Sequence, residues 1–292
     1  MSFGGQNEVG ALQRLFLKHP DDSFVSTESM ETQWQELGYL RRPDLSRATE
    51  EHAALREFLE GMGATVDLLP AAPNTGMDSI YVRDAALMTN QGAILCNMGK
   101  VARSGEPEAQ AAAYSSLGIP ILGEISGTGR LEGGDFLWLD ESTAVVGRGY
   151  RTNDEGIEQL AGLLEDTAEE LIEVPLPHWK GPSDVFHLMS VISPIDKDLA
   201  LVYSPLLPVP FRETLLHRGI SLVEVPEEEF EGMGCNVLAV APRVCLMVEG
   251  NPITHRRLQE AGAEVHSYRG EEISLPGSGG PTCLTRPILR GI

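Results

Sequence analysis

The 292-residue chain is 42% hydrophobic, enough for a packed core, and carries 43 acidic against 22 basic residues, for a formal net charge of −21. That balance excludes nucleic acid and anionic membranes as expected partners and suits a small cationic substrate. No run of 18 apolar residues marks a membrane span.

The opening "MSFGGQNEVG" lacks a basic region followed by an apolar stretch, so a reducing, cytoplasmic setting is expected. The four cysteines, Cys96, Cys235, Cys245 and Cys283, form no Cys-x-x-Cys pair; they are expected to be free thiols, with no zinc and no other cofactor.

In chain order, "LQRLFLKH" reads as a strand, Leu45 to Met62 as a helix and "TVDLL" as a second strand. Between them, Asp21 to Leu45 has little regular pattern and holds Phe24, Trp34 and Tyr39 among polar residues. It reads equally as a lid or as a surface loop packed by its own aromatics. From Met77 the chain repeats itself. Runs beginning "MDSIYVRDAALMTN", "LEGGDFLWLDESTAVVG", "VFHLMSVISPIDKDLALVY", "MGCNVLAVAPRVCLMV" and "GPTCLTRPIL" each start on polar or reactive residues. Asp78, Glu132, His187, Cys235 and Cys283 follow one another at intervals of 54, 55, 48 and 48 residues.

Within each unit a strand, a turn ("TNQG", "DEST", "PIDKD", "APR") and a second strand precede a helical stretch. The helices are expected at Glu106 to Leu117, Asn153 to Leu164, Val209 to Arg218 and Thr254 to Ala261. A third strand closes each unit ("PIL", "LIEVPL", "SLVEV", "AEVHSY"). The fifth unit stops after "CLTRPIL", and the N-terminal strand, helix and strand supply the remainder. The spacing therefore predicts one α/β domain over residues 1–292, a closed ring of five strand–strand–helix–strand units joined by its terminal segments. The competing reading is a two-domain mixed α/β chain with accidental spacing. Spare strand edges on the rim of such a ring leave room for a homodimer.

If the unit starts converge on one axis, Asp78, Asp84, Glu132, Asp135, His187, Asn236 and Cys283 meet there. A thiol, an imidazole and several carboxylates are the kit of nucleophilic catalysis. Cys96 and Cys245 lie in apolar runs and read as small buried hydrophobes. Cys283 follows glycines that let a ligand approach closely, so filler and nucleophile both stay open for it. His187 is open in the same way, between core residue and acid–base group. In "LEGGD", two carboxylates beside paired glycines make poor core unless a cation or imidazole partners them.

Together "LEGGD", "FHLMS" and "GGPTCLTRP", in that order, resemble the guanidino-group-modifying superfamily. It comprises arginine deiminases, dimethylarginine dimethylaminohydrolases and amidinotransferases. The resemblance runs from "GGQNEVGALQRLFLKHP" to Pro287 and implies a five-bladed α/β propeller, the pentein fold, with a central active site. It implies Cys283 as nucleophile, His187 as general acid and base, and Glu132 as the residue that holds and charges His187. It further implies Asp84 as the acid gripping the guanidinium, Asp78 and Asp135 as substrate-side acids, and Arg103 and Arg151 as binders of a substrate carboxylate. Arg148 and Arg83 compete for that last role. Arginine deiminases carry an acid two residues after the histidine; here Met189 stands there, which favours an N-methylated arginine. The expected reaction gives citrulline and dimethylamine through a covalent thiouronium. Arginine deiminase, arginine dihydrolase and amidinotransferase chemistry remain alternatives. So do a metal hydrolase built on His187, Glu132 and Asp135, and a non-catalytic ring-shaped binding scaffold.

Overall fold

The computed structural model describes residues 3–184 and 186–291; Val185, the expected start of one strand-like run, lies outside the described residues. The chain opens with β1 (Leu12–Lys18), α1 (Pro20–Ser23), α2 (Thr27–Gln33), α3 (Leu45–Gly61) and β2 (Thr65–Leu69). Then come β3 (Ala86–Met88), β4 (Ala93–Leu95), α4 (Glu106–Ser116) and β5 (Ile121–Glu124). The next unit is β6 (Phe136–Trp138), β7 (Thr143–Arg148), α5 (Asp154–Leu164) and β8 (Glu170–Pro175). It is followed by β9 (Ile192–Asp196), β10 (Leu199–Val202), α6 (Val209–His217) and β11 (Ser221–Glu224). After α7 (Glu227–Phe230) come β12 (Leu238–Ala241), β13 (Val244–Val248), α8 (Pro252–Glu260) and β14 (Glu264–Tyr268), and α9 (Pro281–Leu284) and β15 (Arg286–Arg290) end the chain.

Each unit is a separate three-stranded sheet. Its first strand runs antiparallel to its second, and the second runs parallel to the third across the helix, as the βαβ crossover requires. The fifth sheet joins the termini in the order β15-β1-β2, with Leu15 opposite Pro287 on one side and Val66 on the other. Gly4 adds a further bond, its N–H donating to the Ile288 carbonyl at 2.9 Å. The molecule is a five-bladed α/β propeller.

Local chemistry sets the helix starts. Asn153 caps α5, its Oδ1 accepting from the Gly156 N–H at 3.0 Å, with Asp154 and Glu155 in the first turn. Asp44 caps α3 in the same way through the Arg47 N–H at 2.9 Å. Pro252 begins α8, two residues earlier than the sequence pattern suggests, because proline is favoured where the first N–H has no partner. The Asp21–Leu45 segment is more regular than expected, since it holds α2 and most of α1. Phe24, Met30 and Tyr39 are buried, and the Leu40 N–H donates to the Pro276 carbonyl at 2.7 Å, so the segment is seated on the ring.

The apolar cores lie between blades. One cluster joins Leu137, Leu188, Leu201 and Cys245, another Leu15, Leu55, Ile80 and Leu246. Burying each such side chain stabilises by about 1.5–3 kcal/mol. The axis itself is left to polar residues. No helix among the described residues is long and apolar enough to cross a membrane.

Candidate active site

Four blades begin with one short helical turn ahead of the first strand. Asp78 lies in the turn Met77–Ile80, Glu132 and His187 each sit immediately before the turns Gly133–Asp135 and Leu188–Ser190, and Cys283 lies in α9. Cys283 therefore sits in a helical turn and does not open a strand as expected. Neighbouring turns are bonded to one another around the axis. The Gly133 N–H donates to the Asp84 carbonyl at 2.8 Å, the Leu188 N–H to Asp135 Oδ1 at 2.9 Å, and the Val237 N–H to Ser193 Oγ at 3.1 Å. The Thr282 N–H donates to Asn236 Oδ1 at 3.0 Å and the Arg83 N–H to the Cys283 carbonyl at 3.1 Å, which closes the circuit. A site built on such mutually fixed turns is pre-organised.

At its centre Glu132, fully buried, holds His187 Nε2 at 2.8 Å on Oε2. Arg151 Nη1 donates to both carboxylate oxygens at 3.0 and 3.3 Å, and the Lys100 N–H donates to Oε1 at 3.0 Å. Asp84 accepts from Arg103 Nη1 at 2.5 Å on Oδ2, whereas its buried Oδ1 has no partner among the described residues. Asp78 pairs with Lys100 Nζ at 2.6 Å, and that ammonium also donates to the Leu37 carbonyl at 2.7 Å, tying the Asp21–Leu45 segment to the site. Asn236 Nδ2 donates to Cys283 Sγ at 3.1 Å. Cys283 keeps surface in the cleft, whereas Cys96, Cys235 and Cys245 are buried.

The sulfur lies where two compartments meet. A narrow polar one, about 20 Å³, is lined by Asp78, Asp84, Lys100, Arg103, Arg151, His187 and Cys283. The other, about 180 Å³, is lined by Trp179, Phe186, Met189, Phe230 and Met233 and also reaches His187, Asn236 and Cys283.

The charges are strongly coupled. Burial alone would raise Glu132, but the hydrogen bond and charge of His187, then Arg151, hold it well below the usual carboxylate range. Burial would lower His187; Asp135, Asp84 and Glu132 outweigh it and raise the imidazole to about 9. Burial, with Asp84, pushes the Cys283 thiol up to about 11, against the Asn236 hydrogen bond and the Arg83 charge. Burial lifts Asp135 to about 6 despite His187 and Thr152.

Several expected residues serve each other. Arg103, expected on a substrate carboxylate, spends its guanidinium on Glu106, Asp84 and the carbonyls of Asp78 and Tyr81. Asp135 accepts from Thr152 Oγ1 at 2.7 Å and from the Leu188 N–H, so it braces the turn that carries His187. Arg148 pairs with Asp154 on the surface, and Arg83 pairs with Glu8 behind the cysteine. The glycines before Cys283 admit protein and not ligand: a Cβ at Gly279 would lie 2.3 Å from Tyr81 Cε1, and one at Gly280 2.6 Å from Asn236 Cγ. Sequence reasoning passed over Lys100, whose only signal is a lone lysine ahead of "VARSGEP". One ligand atom each from Asp84, Glu132 and His187 lies within 4.8 Å of the others, a spacing that could hold a metal ion. Of those carboxylate oxygens only Asp84 Oδ1 is not already committed, and Asp135 stands outside the group.

Gly134 is the tightest point. A Cβ there would lie 2.5 Å from His187 Nδ1 and 2.9 Å from Asp84 Oδ1. Both neighbours are held by ion pairs and cannot yield without leaving their partners. Gly134→Ala is expected to displace the imidazole and lower kcat by about 10²-fold with the fold retained, since a 1 Å misplacement costs about that much. Steady-state kinetics with a thermal melt checks it.

The family model described as arginine deiminase matches residues 72–209 and 207–290 of the chain. Among known proteins, the chain is 27% identical over 288 residues to the uncharacterized protein YkgA of Bacillus subtilis, covering 98% of this chain and 95% of that one. It is 28% identical over 247 residues to an arginine deiminase of Mycobacterium tuberculosis, covering 72% of this chain but only 60% of that relative. Among solved structures it is similar to DDAH from Pseudomonas aeruginosa complexed with citrulline, at 23% identity and a TM-score of 0.74 over 96% of this chain and 100% of that one. It is also similar to the product-bound N-terminal domain of ArgZ, an arginine dihydrolase of the cyanobacterial ornithine-ammonia cycle. There the identity is 23% and the TM-score 0.79, over 95% and 97% of the two chains.

Proposed function

This chain belongs to the arginine deiminase family, and we propose that it is a cysteine hydrolase of a guanidino compound, converting an N-methylated arginine to citrulline and dimethylamine. The observation that carries the reading is the convergence on one cleft of three things: the Cys283 sulfur, the His187–Glu132 pair and the unpartnered Oδ1 of Asp84. A buried carboxylate oxygen without a donor suits a planar N–H cation, because charge-assisted pairs of this kind are strong and directional.

In this reading the guanidinium lies with its N–H groups toward Asp84 and the polar compartment. Arg151 commits only Nη1 to Glu132, so its other nitrogens would take the α-carboxylate, while Arg103 positions Asp84 and Lys100 holds Asp78. The docked cation favours the thiolate of Cys283, the thiol proton leaving to solvent through the cleft, and the thiolate attacks the guanidinium carbon. His187, held protonated by the surrounding carboxylates, passes its proton to the departing amine as the C–N bond breaks. The neutral imidazole then takes a proton from water, whose oxygen adds to the thiouronium carbon. Collapse forms the ureido C=O as the C–S bond breaks, the hydroxyl proton passes to the departing sulfur, and citrulline and the Cys283 thiol are released.

The methylated nitrogen would face Met189 and the aromatic side chains of the second compartment, whose polar residues Ser183, Asp184 and Glu231 would then not be its partners. The test is a panel of arginine, monomethyl- and dimethylarginine assayed for citrulline, ornithine, ammonia and alkylamine, with and without chelator. Dimethylarginine is expected to show the highest kcat/KM, unaffected by chelator, with Met189→Asp shifting preference toward arginine by about tenfold, the scale of one buried hydrogen bond to a charged group. Faster turnover of arginine would make it a deiminase or dihydrolase, transfer to an added amine a transferase, loss of activity in chelator a metal enzyme, and no turnover of any guanidine a scaffold.

A further inference from the structure

Arg83 leads from the site into a second polar cluster on the axis that the chemistry above does not use. Arg83, Arg286 and Arg290 are 1%, 4% and 4% exposed. Arg83 Nη2 pairs with Glu8 at 2.8 Å, and Arg286 Nη2 donates to the Arg83 carbonyl at 2.6 Å. Arg290 Nη1 donates to the carbonyls of Gly10 at 2.7 Å and Ala239 at 2.9 Å. The remaining donors Arg83 Nε and Nη1, Arg286 Nε, and Arg290 Nε and Nη2 are buried and have no partner among the described residues. Three guanidinium groups thus face one carboxylate. Uncompensated buried charge of one sign is costly, and it is ordinarily relieved by a counter-charge. Burial, then the charge of Arg83, brings Arg286 down to about 10, and burial brings Arg290 to about 10 although Glu8 opposes it.

Beside Arg83 and Arg286, though not Arg290, lies a cavity of about 10 Å³ that Glu8 and Trp138 also line. That is the scale of one water-sized sphere. Asn7, Glu8 and Trp138 also line a neighbouring cavity of about 650 Å³. We propose that the cavity at Arg83 and Arg286 is a binding site for one small monovalent anion of the halide class, which completes the charge balance left open by Glu8. The size of the cavity disfavours carboxylates and phosphate. The inference is independent of what the cleft at Cys283 turns over.

The test uses the intact protein at constant ionic strength, with chloride replaced stepwise by gluconate, an anion too large for the cavity. Tm is expected to rise saturably by a few degrees with chloride and not with gluconate, as binding to the folded state alone requires. Crystals grown in bromide are expected to show anomalous density between the side chains of Arg83 and Arg286. Arg286→Met is expected to remove the chloride-specific part of the Tm response; should that variant not fold, the bromide experiment and the wild-type titration decide alone. Equal stabilisation by gluconate, or only water between the arginines in bromide crystals, would overturn the proposal.

Discussion

Cys283→Ser is expected to lower kcat by on the order of 10⁴-fold or more, the scale of losing a nucleophile, while substrate still binds. Serine preserves the space beside Asn236, and Asp84, which would hold the guanidinium, is positioned by Arg103 and not by the side chain that changes. Calorimetry on the variant should therefore give a Kd close to the wild-type value even as product release vanishes. Cys235→Ala makes the matching control. That thiol is buried, and burial pushes it well up, so turnover should stay within about twofold of wild type. In the free protein the Cys283 thiol lies near 11, so alkylation by iodoacetamide should accelerate about tenfold per pH unit from 7 until that midpoint. Turnover surviving in Cys283→Ser, or lost equally in Cys235→Ala, would remove Cys283 from the reaction.

The ring was legible because it is written in spacing. Intervals of 48 to 55 residues between Asp78, Glu132, His187, Cys235 and Cys283 follow from a unit of fixed size, and the missing pieces of the last unit are recognisable at the N-terminus. What pairing does to a side chain was not legible. Arg103 and Arg151 read as binders of a substrate carboxylate, yet in the fold Arg103 is committed to Glu106 and Asp84, and Arg151 places one nitrogen on Glu132. Glu106 lies three residues beyond Arg103, while Asp84 and Glu132 each meet their arginine across the first two strands of one unit, a contact that only the folded blade creates. The glycines before Cys283 failed for a similar reason. Their small size is a fact of sequence, but whether Tyr81, Asn236 or a ligand fills the space depends on residues dozens of positions away. The helix α2 went unseen because its face toward the core rests on Met30 alone among polar neighbours, too few apolar positions to show a period.

The second large effect concerns the pair at the centre. The imidazole of His187 titrates near 9 in the folded protein against 6.5 for an ordinary histidine, so its proton is held mainly by the fold. The sign follows: this contribution to stability is complete below pH 6.5 and is lost as pH rises through 9. Activity shares the dependence, because a general acid works only while protonated: kcat, which reports the substrate-bound enzyme with its thiolate formed, should show an alkaline limb near pH 9. Glu132→Gln keeps the shape but removes the charge that His187 and Arg151 both face. His187 should then titrate at least about one unit lower, the alkaline limb should move with it, and kcat at pH 7 should drop by about 10²–10⁴-fold. Arg151 would be left buried without its carboxylate, at a cost of about 3–5 kcal/mol. If that unfolds the variant, an NMR titration of His187 in the wild-type protein carries the test by itself. A midpoint near 6.5 there, or an alkaline limb that stays fixed in Glu132→Gln, would mean that Glu132 neither charges the imidazole nor prepares it as the acid.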